Sequence, residues 1–474
     1  MIGPLYVTLL ADESANLFRS PRSVTAITPT VYRLFSTQCE WHSLTLREHH
    51  QATTLLDSNL TRRHLFLCIL FPFALGYYLS YLARVVNAVL APDLIAELSL
   101  DPDTLGLMTA SYFVTFAAAQ LPLGMLLDRY NPARIEAGLL LIAAAGALLF
   151  AFGNTTWDLI IGRGLIGLGV SACLMAAFKT FTVWFKPEKL PLLNGVILAS
   201  GGLGALTATA PVQAALTLTD WRGVFILLAG LMMVSSITLF LLVPNQPTES
   251  TTKETLQGQV EGLRSILTDR FFWMIAPLTM LSQSSFIAIQ SLWAGPWLQD
   301  IGQLERAAMA DTLLITAAAM VAGFLIMGTL AERLARIGLP PILLSAGGML
   351  LFQLIQLLII LEPAEQALSL TWLAFGFFGT TGIIQYAVLS QHYPRHLAGR
   401  VNTAMNLLVF VSIFLLQYTI GIIINLWPEV APGRYLGIAY QAAFGFVLLL
   451  QATAFIWFSW SYYRHKQIRE LNDR

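Results

Sequence analysis

From about residue 65 onward the chain alternates between long apolar runs and short polar breaks. Twelve runs fall near 65–91, 104–126, 134–153, 157–181, 191–215, 221–243, 271–298, 308–331, 340–361, 369–390, 401–425 and 437–461. Each is about 20 residues or longer, which suits a hydrocarbon core of roughly 30 Å. A helix satisfies its own backbone hydrogen bonds, and hydrocarbon offers no other partner, so these runs predict transmembrane helices. The expected class is an all-α integral membrane protein with twelve transmembrane helices. Residues 1–61 carry no such run and read as a polar, disordered cytoplasmic tail. The polar stretch 245–270 divides the rest into two six-helix bundles, 62–244 and 271–463, and 464–474 is expected to be a cytoplasmic tail.

Composition agrees, because only 11% of residues are charged and 56% are hydrophobic, whereas soluble domains carry about 25% charged residues. A formal net charge of zero gives no case for nucleic acid. Cys39, Cys68 and Cys173 are far apart and form no CxxC, so neither a disulfide framework nor a metal site is expected. No basic stretch precedes an apolar core at the start, so no cleaved signal peptide is expected.

Orientation follows from the basic residues in the loops. The inter-span loops on one side hold Arg129, Arg134, Lys186, Lys189, Lys253, Arg264, Arg270, Arg333, Arg336, Arg395 and Arg400, and those on the other only Arg222, Arg306 and Arg434. Eleven against three places both termini in the cytoplasm. The first external loop carries Asp93, Glu97, Asp101 and Asp103 instead.

The halves repeat each other at one offset. Gly124-x-Leu126-x-Asp128-Arg129 ends the second span and Gly328-x-Leu330-x-Glu332-Arg333 the eighth, and 328 − 124 = 204. Pro92-x-Leu94 closes the first span and Pro296-x-Leu298 the seventh, and 296 − 92 = 204 again. Parallel repeats of six-helix halves are a transporter plan that places the substrate near the midplane between them.

These residues carry a resemblance. The paired Gly-x-Leu-x-(Asp/Glu)-Arg loops, Arg163-x-x-x-Gly167-x-Gly169 in the fourth span and Trp221-Arg222-x-x-Phe225 opening the sixth resemble the signatures of the major facilitator superfamily (MFS). The resemblance spans roughly 62–465 and is specific for fold rather than substrate. It implies two bundles around a central cavity and secondary transport by alternating access. Two departures stand out. Tyr130-Asn131-Pro132-Ala133-Arg134 replaces the usual Gly-Arg-Arg/Lys, and Gly195, Gly201, Gly202 and Gly204 lack the arrangement typical of drug/proton antiporters.

Arg84 lies inside the first span. A cation at depth costs roughly 2.5–3.5 kcal/mol on insertion scales, so such groups face wet cavities. Tyr81-x-x-Arg84 ahead of Pro92 resembles the first helix of the organic-anion and organophosphate carriers, where the arginine contacts the anion. The repeat-related position, 84 + 204, is Ala288, so a second arginine is missing and a monoanion such as a carboxylate fits better than a phosphate dianion. Tyr81, Asn87, Gln290 and Asn406 are the further candidate substrate contacts. For gating and coupling the candidates are Asp128, Arg129, Arg134, Asp158, Arg163, Glu332 and Arg333. Arg163 reads either as a coupling group or as a partner of Asp158 or of a backbone carbonyl. Lys179 reads as a snorkelling anchor.

No Asp, Glu or His falls near the centre of a predicted span. Coupling through Asp93, Asp128 or Asp158, a substrate-borne proton and anion exchange therefore stand as alternatives. No ATP-binding loop, His-Glu-x-x-His or Gly-x-Ser-x-Gly appears, so no enzyme and no cofactor is expected. The expected function is secondary active transport of a small organic solute across the plasma membrane, a bacterial inner membrane by its short loops. The expected partners are that solute, a proton or counter-anion, and the bilayer. An exporter of drugs or metabolites, or a non-transporting sensor with this fold, is the alternative.

Overall fold

The structure, a computed structural model, describes residues 66–185, 190–244, 256–431 and 433–472. The expected N-terminal tail, Lys186, Lys189 and Lys253 lie outside the described residues, as do the side chains of Asp128, Glu332 and Arg395.

Among the described residues the protein is helical, with one isolated bridge between Ala431 and Arg434. Its helices are α1 (Phe71–Val85), α2 (Asn87–Leu98), α3 (Pro102–Arg129), α4 (Pro132–Phe152), α5 (Thr156–Gly169), α6 (Cys173–Trp184), α7 (Leu190–Thr207), α8 (Ala210–Ala215) and α9 (Trp221–Leu242) in the first half. Then come α10 (Leu256–Leu267), α11 (Arg270–Ala288), α12 (Ala294–Asp300), α13 (Arg306–Arg336), α14 (Pro341–Ile360), α15 (Glu365–Phe378), α16 (Ile383–His392), α17 (Arg395–Ile424) and α18 (Gly437–Asn472). Ten helical segments are long and apolar enough to cross a membrane by themselves. Helices α3 and α7 occupy the other two predicted spans. Leu351, Leu354, Leu358, Leu227 and Leu241 stay exposed, as lipid-facing positions do.

Two polar segments are more ordered than the sequence predicts. Part of the linker is α10, whose Ile266 is buried. The last helix continues through the expected tail to Asn472.

Local chemistry starts the helices where the polar breaks fall. Asn131 accepts from the Ala133 N–H at 2.9 Å, and Pro132 opens α4 with a preset φ. The departure from Gly-Arg-Arg is thus a capped helix start. Thr155 and Asp158 form a reciprocal capping box on α5, and Asp220 accepts from Gly223 to start α9.

Five of the predicted spans are discontinuous among the described residues, the fifth span (191–215) being one of them, interrupted at 208–209 between α7 and α8. The first breaks at Val86 between α1 and α2, and the seventh passes through a π-helical turn, Ile289–Trp293. Because 86 + 204 = 290, the two breaks occupy the same place in the repeat. The fourth span breaks between α5 and α6 and the tenth between α15 and α16. Discontinuous helices near the midplane are where transporters build their sites.

The fourth-span motif has a packing cause. A Cβ on Gly167 would strike the Tyr112 carbonyl of α3, and one on Gly169 the α4 backbone at Leu139 and Ala143. Helix α5 is thereby wedged against two neighbours at backbone distance. Gly167→Val should lower the thermal unfolding midpoint of the purified protein, with an overpacking cost of roughly 1–3 kcal/mol. Gly138→Ala, where a Cβ meets open space, should leave it unchanged.

Candidate functional site

Arg84 is 5% exposed and sits near the end of α1, just before the break. Its guanidinium carbon lies 4.5 Å from the Tyr81 ring centre, 5.6 Å from Phe116 of α3 and 5.4 Å from Phe410 of α17. Phe116 and Phe410 stack at 4.2 Å across the boundary between halves. Both halves therefore contribute to one aromatic enclosure around one cation. Ring faces attract a guanidinium by about 0.5–2 kcal/mol each when water is scarce. Among the described residues no carboxylate pairs with Arg84, and its Nε is buried without a hydrogen-bond partner. The enclosure holds the cation without neutralising it.

The second half brings polar groups toward the same boundary. Asn406 stands one helical turn from Phe410 on α17, and its Oδ1 accepts from the Tyr386 hydroxyl of α16 at 2.8 Å. Asn402, a turn further, accepts from Ser390 at 3.1 Å. Gln290 is buried in the π turn with its amide nitrogen 3.4 Å from the Met320 sulfur. Gln417 of α17 braces that turn, donating to the Ser291 hydroxyl at 3.0 Å, while its carbonyl accepts from Trp293 Nε1. Asn87 is placed differently. It is fully buried within the first half and donates to Thr109 at 3.0 Å.

Arg163 does not pair with Asp158, which is engaged in its own capping box. It is fully buried and donates to the Ala83 carbonyl at 2.8 Å, beside the α1 break, with its guanidinium 5.3 Å from the Tyr112 ring. Arg163 therefore steadies the backbone immediately before Arg84. Arg134 lies with its guanidinium 3.7 Å from the Phe240 ring centre. Arg129 and Arg333 are exposed at the basic-loop face.

At the opposite face the halves close on each other. Arg306 of α13 meets Asp93 of α2 at 2.5 Å, and Asn425 donates to Asp103 at 3.2 Å. Gly295 packs on the Ala88 carbonyl, an approach that a side chain would block. Gly433, at φ +70°, packs against Ile95. The Trp221-Arg222 motif also acts here. Trp221 Nε1 donates to Glu97 at 2.6 Å, Arg222 pairs with Glu97 at 2.8 Å, and Arg222 donates to the carbonyls of Ala151 and Gly153, capping α4. The hydrogen bonds from Trp221 and then Arg222 hold the Glu97 carboxyl below its usual range.

Comparison with known proteins settles the family. The profile described as Major Facilitator Superfamily matches residues 73–417. The chain belongs to the Major Facilitator Superfamily. It is thus a multi-pass membrane protein of a transporter family. A Cupriavidus necator protein named as a probable sulfoacetate transporter is 21% identical over 387 residues, covering 77% of this chain and 89% of that one. The hexuronate transporter of Escherichia coli K12 is 24% identical over 227 residues, 45% of this chain and 52% of its own length. Among solved structures, a bacterial homologue of the human lysosomal transporter Spinster superimposes with a TM-score of 0.68 at 18% identity, covering 83% of this chain and 96% of that one.

Three residues of this region escape a reading of the sequence. Phe116 and Phe410 look like any lipid-facing phenylalanine, and only their pairing across the halves marks them. Glu136 stands near the edge of its span, where a carboxylate reads as interfacial, yet it is fully buried.

The Asp93–Arg306 pair tests the closure. Asp93→Asn and Arg306→Gln should each speed labelling of a cysteine placed at Leu105 by an impermeant maleimide, in a background without the native cysteines. A part-exposed pair is worth roughly 0.2–1 kcal/mol, so the open-to-closed ratio should rise by up to about fivefold. The charge-swapped double variant should label at the parental rate.

Proposed function

We propose that this protein is a secondary transporter that carries a small organic anion across a bacterial inner membrane by alternating access, in the inward direction. The observation that carries the reading is Arg84: a buried guanidinium, enclosed by rings from both halves, with no acidic partner among the described residues. A carboxylate or sulfonate arriving from water would supply the missing charge. Its contact would involve both halves at once, and alternating access needs a ligand that favours closure around itself. A single arginine, with Ala288 at the repeat-related position, favours a monoanion.

The named substrates of relatives are organic acids: hexuronates and galacturonate are monoanions, as this reading favours, whereas sulfoacetate, with a sulfonate and a carboxylate, is a dianion and matches it only in being an organic anion. Asn406 and Gln290, on the second half, are the proposed polar contacts for the rest of the solute, and Tyr81 orients the guanidinium. The Gly-x-Leu-x-(Asp/Glu)-Arg loops at 124–129 and 328–333 serve as the cytoplasmic gate, and both termini lie in the cytoplasm. Asp93 and Arg306 close the external end.

Uptake into proteoliposomes tests this directly, with sulfoacetate and galacturonate as probes. Arg84→Ala should reduce uptake of the transported anion at least a hundredfold while the protein elutes and melts as the parent does. Arg84→Lys should retain partial uptake, because it keeps the charge and loses the planar fork. Unchanged uptake by Arg84→Ala would overturn the reading.

A further inference from the structure

Glu136 of α4 is fully buried, and neither of its carboxyl oxygens completes a hydrogen bond. It faces α1 at Gly76, where an added Cβ would collide with Oε1. The carboxyl thus lies directly on the backbone of the helix that carries Arg84, eight residues on.

Among the described residues no cation is in contact with it. From α6 the facing titratable group is the Cys173 thiol. From α9 the Ser235 hydroxyl, which does not titrate and is buried without a partner, also lies beside Gly76. From α1, Tyr77 stands beside Gly76, with its ring 5.8 Å from that of Tyr81. On α4, Arg134 is turned to Phe240 of α9. The remaining charged groups on these packed helices are engaged elsewhere: Arg163 holds the Ala83 carbonyl, Asp158 caps α5 and Arg222 binds Glu97. Lys179 lies six residues beyond Cys173 on α6.

A carboxylate with neither a cation nor a full set of donors is strongly disfavoured in such a place, and the neutral acid is the affordable form. We propose that Glu136 is a proton-binding site of the first bundle, and that its protonation couples a proton to the anion held at Arg84. This rests on the anion-transport reading above. One O–H bond forms when the carboxyl takes a proton from water and breaks when it returns it; a monoanion moving with that proton carries no net charge. Protonated, Glu136 lets α1 seat against α4 and α9 through Gly76. Ionised, it must draw in water or a donor, which displaces α1 and with it Arg84.

Two readouts on the full-length protein test this. The first is infrared difference spectroscopy of wild type against Glu136→Gln at neutral pH. The wild type should show the carbonyl stretch of a neutral carboxylic acid, shifted in heavy water and absent from the variant. No such difference band would overturn the site. The second is uptake of galacturonate into proteoliposomes under an imposed proton gradient, with a trapped pH dye. One pH unit should drive about tenfold accumulation in wild type, with proton entry. Glu136→Gln, or Glu136→Leu if the amide fails to fold, should lose accumulation and proton entry but keep exchange of anion for anion. Proton-driven accumulation by either variant would overturn the coupling. A difference band together with no flux of galacturonate or sulfoacetate would uphold the proton site and sink the anion reading beneath it.

Discussion

A cation with no counter-ion among the described residues, Arg84, stands at the centre of this protein. Arg84 is enclosed by Tyr81, Phe116 and Phe410, which come from α1, α3 and α17. Aromatic faces moderate the cost of burying its charge but leave its hydrogen-bonding capacity open. On the proposed reading the site is incomplete by itself, and an arriving anion completes it. The stacked pair Phe116–Phe410 makes that completion sensitive to the distance between halves, which ties binding to conformational change.

The rest of the fold holds this cation at a flexible point of the scaffold. The break at Val86 and the π turn at Ile289–Trp293 occupy equivalent places in the two halves. Breaks of this kind leave backbone groups in need of partners, and side chains supply them: Arg163 donates to the Ala83 carbonyl, and Gln417 to the Ala288 carbonyl at 3.4 Å. The glycines of the fourth span pack Arg163's helix closely against α3 and α4. Of the motifs that look like family marks in the sequence, the fourth-span one thus helps to hold an interrupted helix, through Arg163.

Much of this was legible in the primary structure, for physical reasons. Apolar run length is set by bilayer thickness, so the spans could be placed without any fold knowledge. The repeat offset of 204 recurs in three dimensions because both halves must break their first helix at the same depth. Arg84 stood out because charges inside apolar runs are rare. Contacts across the halves were illegible: nothing in the neighbourhood of Phe116 or Phe410 signals its partner nearly three hundred residues away. The sequence leaves Arg163 a choice between Asp158 and a backbone carbonyl; helix geometry gives Asp158 to the Thr155 cap and Arg163 to the Ala83 carbonyl. Glu136 carries no signal of its burial, because position within a span gives depth along the membrane, whereas burial depends on which neighbour crosses over. Here α1 crosses at Gly76, and a carboxyl near a span edge becomes a core group.

The most direct measurement is equilibrium binding to the purified protein, followed as ligand-dependent thermal stabilisation, across size-matched organic anions, neutral analogues and cations. A ligand that binds the native state raises its apparent stability. If Arg84 is the unfilled half of a charge pair, anions alone should stabilise the protein, and Arg84→Ala should remove the effect. Stabilisation by neutral or cationic analogues that survives in Arg84→Ala would contradict it.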